Sequence, residues 1–514
     1  MNGLDALPLR HETVVHALAD AAAKAPHETA LVCGDETLDY RGYAACVAAL
    51  AAELAPLGAR GERVALLMGN SPDIAIATFA VQAAGFQVVP LNPAYTAHEL
   101  DPILANAAPV ALIHDEGCAA AALDAARARG VKRLLPVGPA TRLTRWRDRP
   151  LPSGGLPLPR ADELSTLQYT GGTTGRSKGV DLTHAAVSIN VSQREALLPT
   201  EPEAERVLAV TPLFHVYAVS MGLYLAAYSR GTLVILPRYR PELVLEAIER
   251  HRITLFSGSP TLFTGLMAYE HFARHDLASL RLCYSGSAAL PQETLRRWEQ
   301  ATGCGVVEGY GQSEAGPVLT YNPRDGVRKI GSVGVTLPLT EVQVVDVETG
   351  TRVLGPGQVG EIRARGPQIM RGYRALPEET AAALRDGWLY TGDIGELDAD
   401  GYLYIRDRKK DMVIVGGYNV YPREVEEALY AHPSVIEAAV VGVPDSYRGE
   451  ALVAFVVCRE PGPSADVLRE HLAERLVRYK IPGTIHLVGA LPKTVVGKTD
   501  KTRLRSQARD AAGT

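Results

Sequence analysis

Six cysteines are scattered through the 514 residues without a single C-x-x-C pair. The spacing of Cys33, Cys46, Cys118, Cys283, Cys304 and Cys458 suggests neither a zinc ribbon nor the dense disulfide framework of a small secreted domain. A strong charge of one sign is also missing. A formal net charge of -5 on a chain this long exerts no global pull toward nucleic acid or anionic lipid. The first residues lack the continuous apolar stretch of a secretory signal, because His11, Glu12, Asp20 and Lys24 interrupt them. Long hydrophobic runs are scarce. The longest uncharged stretch, Val207 to Ser229, is broken by Pro212, His215 and several hydroxyl residues, so it reads as buried core rather than a membrane span. These absences describe a cytoplasmic protein with at most peripheral membrane contact and no nucleic-acid partner.

What is present is 46% hydrophobic and 22% charged residues, enough for a sizeable core but too long for one compact domain. Val64 to Met68 reads as a buried strand. Ser71 follows as a helix N-cap, Pro72 as the first helical residue, and Ile74 to Ala84 as an apolar helix stopped by Gly85. Phe86 to Leu91 returns as strand, which completes a strand-helix-strand unit. The alternation recurs as strand Thr232 to Leu236, helix Pro241 to His251 and strand Thr254 to Phe256, so the body is α/β with parallel sheets. Between Arg147 and Arg160 a Pro- and Gly-dense segment predicts an extended surface connection. After Asp407-Arg408-Lys409-Lys410-Asp411 the pattern restarts as a small α+β unit: helix from Pro422, strands over 435–443 and 452–458, helix from Ser464.

The segment Tyr169-Thr170-Gly171-Gly172-Thr173-Thr174-Gly175-Arg176-Ser177-Lys178-Gly179 has the composition of a phosphate cradle. Glycines let backbone N–H groups turn toward an anion, hydroxyls add donors, and Lys178 can reach a phosphate oxygen. It does not fit G-x-x-x-x-G-K-[ST], because no glycine directly precedes Lys178. It closely resembles the phosphate loop of the adenylate-forming superfamily, which includes acyl-CoA synthetases, coumarate-CoA ligases, firefly-type luciferases and peptide-synthetase adenylation domains. Further segments in the family's order extend the resemblance from about Thr29 to Arg505. Glu308-Gly309-Tyr310-Gly311-Gln312-Ser313-Glu314 is similar to the family's Y-G-x-T-E, with Ser313 keeping the hydroxyl of the commoner threonine; Tyr390-Thr391-Gly392-Asp393 is similar to T-G-D; Arg408 and Lys498 occupy the places of a nucleotide-contacting arginine and a near-C-terminal catalytic lysine.

The resemblance implies an N-terminal domain over 1–407 that carries ATP and acid. It also implies a small mobile C-terminal domain over 408–514, turning about a hinge at Lys410. ATP and AMP would be held by Thr170, Gly171, Gly172, Thr173, Thr174, Gly175 and Lys178, with Gly309, Tyr310, Gly311, Ser313, Asp393 and Arg408. Tyr310 would stack on adenine, Asp393 would take the ribose hydroxyls, and Glu314 with Thr170 would hold Mg²⁺. Lys498 would bind the carboxylate and leaving oxygens, a role that suits a cation where two anions must meet. Gly416, Gly417 and Tyr418 would open a tunnel for CoA. Which neighbours steady Lys498 stays open, because Thr499-Asp500-Lys501-Thr502 departs from the expected basic and apolar residues.

For the acid, the implied pocket is His215, Val216 and Tyr217 with Gly286, Ser287 and Ala288. His215 contacts the acid or gates its entry, and counts with Lys498 and Glu314 among the catalytic residues. The small residues leave a narrow slot for an alkyl chain, and these stretches contain no Arg or Lys for a second carboxylate. Likeness is greatest to bacterial fatty acyl-CoA synthetases. The expected activity is therefore AMP-forming ligation of a medium- or long-chain fatty acid to CoA. Aryl acids are the runner-up, and a carrier-protein-loading ligase, a luciferase-like oxygenase and a catalytically silent binding protein are the other readings. A homodimer is left open.

Overall fold

A computed structural model describes residues 7–170, 177–286, 290–416, 418–445, 447–494 and 498–512. Two large sheets form most of the N-terminal body. Thr29–Cys33, Arg206–Ala209, Thr232–Ile235, Leu255–Gly258, Leu282–Ser285 and Val306–Gly311 are members of a nine-stranded sheet. A seven-stranded sheet has the order Gly372–Tyr373, Lys178–Thr183, Leu164–Thr170, Gln87–Leu91, Arg63–Leu67, Ala111–Asp115 and Arg133–Val137. One hydrophobic core runs between the two sheets and the helices that separate them.

The first strand-helix-strand unit forms as expected. Arg63–Leu67 and Gln87–Leu91 pair in parallel, and Pro72–Ala83 crosses between them with the Ser71 hydroxyl accepting from the Ile74 N–H. This helix is buried on every side, which explains its unbroken apolar sequence. The second unit differs in one respect. Thr232–Ile235 and Leu255–Gly258 are parallel but not neighbours, because Arg206–Ala209 lies between them.

Val207 to Ser229 turns out as a strand end, a loop and a short, largely buried helix. Among the described residues no helix is long and apolar enough to cross a membrane. The 147–160 connection has no regular structure and is pinned by buried Leu156.

A third, antiparallel sheet built from Glu341–Val345, Gly360–Arg365, Trp388–Leu397 and Leu403–Arg408 leads out of the body. The small C-terminal unit follows with cores of its own. Helix Pro422–Tyr430, strands Val435–Asp445 and Gly449–Cys458, and helix Ala465–Ala473 capped by Ser464 match the expected order. Short strands Val413–Val415, Tyr418–Val420 and Thr484–Leu487 complete its sheet.

Candidate functional site

The site collects where the two large sheets, the third sheet and the C-terminal unit meet. Leu164–Thr170 and Lys178–Thr183 pair antiparallel, with Thr170 and Lys178 facing each other as a register pair, so the phosphate-cradle segment begins on one of these strands and ends on the other. Gly171, Gly172, Thr173, Thr174 and Gly175 lie outside the described residues, as do Ser287, Ala288 and Gly417. Lys178 Nζ stands 4.9 Å from the centre of the Tyr373 ring. The Tyr373 hydroxyl donates to Glu314 Oε1 at 2.8 Å, and its own backbone N–H is held by Thr380 Oγ1 at 2.9 Å.

Glycines let this corner close. A Cβ at Gly311 would stand 2.0 Å from the Pro317 carbonyl oxygen, and one at Gly309 would enter the Tyr321 ring. The chain can therefore pass from Val306–Gly311 through the single turn Ser313–Ala315 into Val318–Tyr321. That turn presents Ser313 and Glu314.

Across from it, Asp393 and Arg408 are opposite one another on adjacent strands and are linked at 3.4 Å. Asp393 also accepts from the Tyr310 hydroxyl at 2.6 Å. Burial raises the Asp393 carboxyl pKa, and the Arg408 guanidinium opposes that rise.

Lys498 of the C-terminal unit enters the same space. Burial, aided by repulsion from Arg408 and opposed by Asp393, brings its ammonium down to about 8. His215 is brought down to about 4, chiefly by burial and further by Lys498. Its Nδ1 accepts from the Tyr217 N–H at 3.3 Å, so the ring is neutral at physiological pH. Tyr217 itself is packed on Gly286, where a Cβ would stand 2.9 Å from its ring.

The neighbours that steady Lys498 are those the sequence left open. Lys493 and Thr499 pair in an antiparallel bridge, the Lys498 carbonyl accepts from the Thr494 N–H at 2.7 Å, and the Thr494 hydroxyl accepts from the Lys498 N–H at 3.2 Å. Lys501 pairs with Glu426 at 2.8 Å and Arg505 with Asp411, which ties the terminal helix to the segment just after Lys410. Lys410 sits in an exposed turn closed by the Arg408 carbonyl, which accepts from the Asp411 and Met412 N–H groups. Gly416 has a positive φ of 58°, and Tyr418 is exposed and stacked on Tyr479 with ring centres 4.6 Å apart.

Two contributors had no place in the sequence reading. Tyr373 joins Lys178 to Glu314. Asn70 accepts from the Leu213 N–H at 2.7 Å and donates to the Thr211 and Leu236 carbonyls, fixing the loop that carries His215. An asparagine directly before a helix N-cap, at a strand's C-terminal end, was the available signal.

Paired strands joined by a glycine- and threonine-rich sequence, the Glu314 carboxylate linked through Tyr373 to Lys178, and Lys498 carried by the C-terminal unit are together the organisation of a nucleotide-using activating enzyme. Residues 18–374 match the AMP-binding enzyme family and residues 424–498 the AMP-binding enzyme C-terminal domain, so the chain belongs to that family. It is 39% identical to the long-chain-fatty-acid--CoA ligase of Bacillus subtilis (strain 168), over 97% of this chain and 95% of that protein. It is also 39% identical to a feruloyl-CoA synthase of Amycolatopsis sp, over 94% and 96% respectively. The ATP-bound crystal structure of MatB from Rhodopseudomonas palustris superposes with a TM-score of 0.90 at 32% identity, covering 98% of this chain and all of that one.

Proposed function

We propose that the chain activates a fatty acid by AMP-forming ligation to CoA, in the cytoplasm, with Mg²⁺ as the metal. The observation that carries the reading is Lys498, supplied by the C-terminal unit to the surroundings of Asp393, Arg408 and His215. In the first half-reaction a carboxylate oxygen of the acid attacks the α-phosphorus of ATP. An acyl-phosphate bond forms, the bond to the β-phosphate's bridging oxygen breaks, and pyrophosphate leaves. Two anions must approach, and Lys498 offsets their repulsion while Lys178 and the backbone of the phosphate-cradle segment hold the departing phosphates. His215, being neutral, orients the acid and does not supply charge.

Mg²⁺ would neutralise the phosphate oxygens. The Glu314 carboxylate and Thr170 hydroxyl are hard oxygen donors that suit it, and Tyr373 fixes one Glu314 oxygen while leaving the other free to turn toward a metal. Tyr310 and Asp393 hold adenine and ribose, with Gly309, Gly311, Ser313 and Arg408 around the nucleotide. The acid's reactive end lies by His215, Val216, Tyr217 and Gly286.

In the second half-reaction the CoA thiol, giving up its proton, attacks the acyl carbon and AMP departs. The lid over 408–514 turns about Lys410 so that Gly416, Gly417 and Tyr418 line the pantetheine path. Closure in each state keeps water from the mixed anhydride. Self-association as a dimer belongs to the same reading, with light scattering as its check.

The deciding experiment supplies purified protein with ATP, Mg²⁺ and CoA, plus short, medium and long fatty acids and benzoate- and cinnamate-type acids. Both AMP and acyl-CoA are measured. Thioester from fatty acids supports the proposal. AMP without thioester moves the acceptor to a carrier protein or oxygen. An aryl preference, the second reading favoured by the feruloyl-CoA synthase relative, would show as thioester from cinnamates alone.

A further inference from the structure

Spacing in the sequence links none of the six cysteines, but folding brings two of them together. Cys283 stands on strand Leu282–Ser285, and Cys304 lies in the turn between helix Gln292–Thr302 and strand Val306–Gly311. The two strands are parallel neighbours, with Cys283 beside Val306 in register and its N–H donating to the Gly305 carbonyl at 3.0 Å. That leaves the sulfurs 3.7 Å apart. Both thiols are free, and both are buried in one apolar cluster with Phe256 and Trp298. A disulfide needs about 2.05 Å between sulfurs, so closing one here asks for a movement of about 1.6 Å.

The two sulfurs differ in their reach to solvent. Cys283 is fully enclosed, whereas Cys304 keeps 3% exposure and is flanked by exposed Gly303 and half-buried Gly305. Neither glycine has a side chain to screen the Cys304 sulfur, so a small oxidant needs only a local opening of this turn. The hydrogen bond from the Cys283 thiol holds the Cys304 thiol below its usual range, and burial pushes Cys283 up. Cys304 is therefore the thiol that yields a thiolate first. A bridge between them would close the chain over 284–303, whose first residues include Gly286 beneath the Tyr217 ring. It would also pull on the start of strand Val306–Gly311, near whose end the Tyr310 hydroxyl donates to Asp393. The acid and nucleotide sides of the candidate site thus hang from the two strands that the sulfurs would tie.

We propose that Cys283 and Cys304 are a redox modification site at which a peroxide closes a disulfide, and that the closed form binds nucleotide less well because the strand bearing Tyr310 is drawn toward Leu282–Ser285. The Cys304 thiolate, having lost its proton to solvent, attacks one oxygen of hydrogen peroxide. The O–O bond breaks, Cys304 becomes a sulfenic acid, and the hydroxide released takes up a proton as water. Cys283 then attacks the sulfenic sulfur; an S–S bond forms, and the hydroxyl leaves with the Cys283 proton as a second water. Two electrons pass from the sulfurs to the peroxide, and a small dithiol returns them. The effect on turnover rests on the ligase reading; the bridge itself does not.

Full-length wild type, Cys304→Ala, Cys283→Ser and Cys33→Ser are treated with hydrogen peroxide and digested without reduction. Trypsin leaves Cys283 in peptide 282–296 and Cys304 in peptide 298–324, so the bridge appears as one linked species that dithiothreitol separates. Wild type and Cys33→Ser should show it, and the other two variants should not. The rise in melting temperature on adding ATP is the second readout, and AMP formation is the third. Oxidation is expected to cut that rise in wild type by about half or more and kcat/KM for ATP by about tenfold, both restored by dithiothreitol, while Cys304→Ala changes by less than about twofold. Oxidised wild type without the linked species, or with it and unchanged nucleotide binding, overturns the proposal. So does an equal loss in Cys304→Ala. If Cys283→Ser fails to fold, Cys304→Ala decides alone. No AMP from reduced wild type with any acid sinks the ligase reading, and the linked species with ATP-dependent melting still judges the cysteine pair.

Discussion

Lys498 carries a pH-sensitive charge into the candidate site. Burial and Arg408 lower its pKa from the usual lysine range to about 8, so the ammonium loses its proton as pH rises through that value. Adenylation measured by pyrophosphate release is therefore expected to fall on the alkaline side of about pH 8. Lys498→Arg should push that limb to higher pH, because arginine stays charged. His215, near 4, stays neutral throughout and should contribute no limb between pH 6 and 8. Lys498→Ala should cost about 10²- to 10³-fold in adenylation with an unchanged melting temperature. Retained activity in that variant would reassign the residue.

Tyr373→Phe keeps the ring beneath Lys178 and deletes the hydrogen bond to Glu314. The Mg²⁺ concentration for half-maximal rate should rise by about fivefold, with the KM for the acid unmoved. A shift confined to the acid's KM would refute the link to Glu314. At this scale Lys178, Glu314, Asp393 and Lys498 were legible because spaced, ordered motifs hold them. Tyr373 and Asn70 were not, since each acts through partners remote in sequence, in segments that propensity reads as ordinary strand end and turn.

At the scale of elements, the tight return from Val306–Gly311 to Val318–Tyr321 depends on Gly311. Backbone atoms of Pro317 and Val318 occupy the space a methyl group would need, and a backbone cannot rotate aside. Gly311→Ala should lower stability by about 2 kcal/mol or more in denaturant unfolding and weaken ATP binding with it. Gly483→Ala, which meets nothing within 4 Å, should stay within about 0.5 kcal/mol. Elements with strong caps, such as Pro72–Ala83 behind Ser71, could be read to within a residue or two. Sheet order could not: Arg206–Ala209 inserts between Thr232–Ile235 and Leu255–Gly258, and strand pairing is decided by long-range packing that no local pattern records.

For the whole molecule, the two family matches stop at 374 and resume at 424, with Lys410 in the interval. Lys410→Pro stiffens the exposed turn. It is expected to leave adenylation within about twofold while slowing thioester formation by about tenfold or more, as single-turnover assays of each half-reaction would show. Equal loss in both would place the hinge elsewhere. The two-domain plan was readable from the restart of the pattern after Asp411. The mode of contact between the domains was not, because ties such as Arg505 to Asp411 join residues 94 positions apart.

Arg408 ends its strand and directly precedes the turn proposed as the hinge, while Asp393, its register partner, stays in the strand beside it. On the proposed reading, a nucleotide that competes for either member of this pair would alter the cost of turning the lid. A lid that turns must in return alter the affinity for nucleotide by the same factor, because the two equilibria share one free energy. On the proposed hinge, the pair would act as a gearwheel between chemistry and motion: departure of pyrophosphate, by changing what Arg408 faces, would itself be an instruction to change gear.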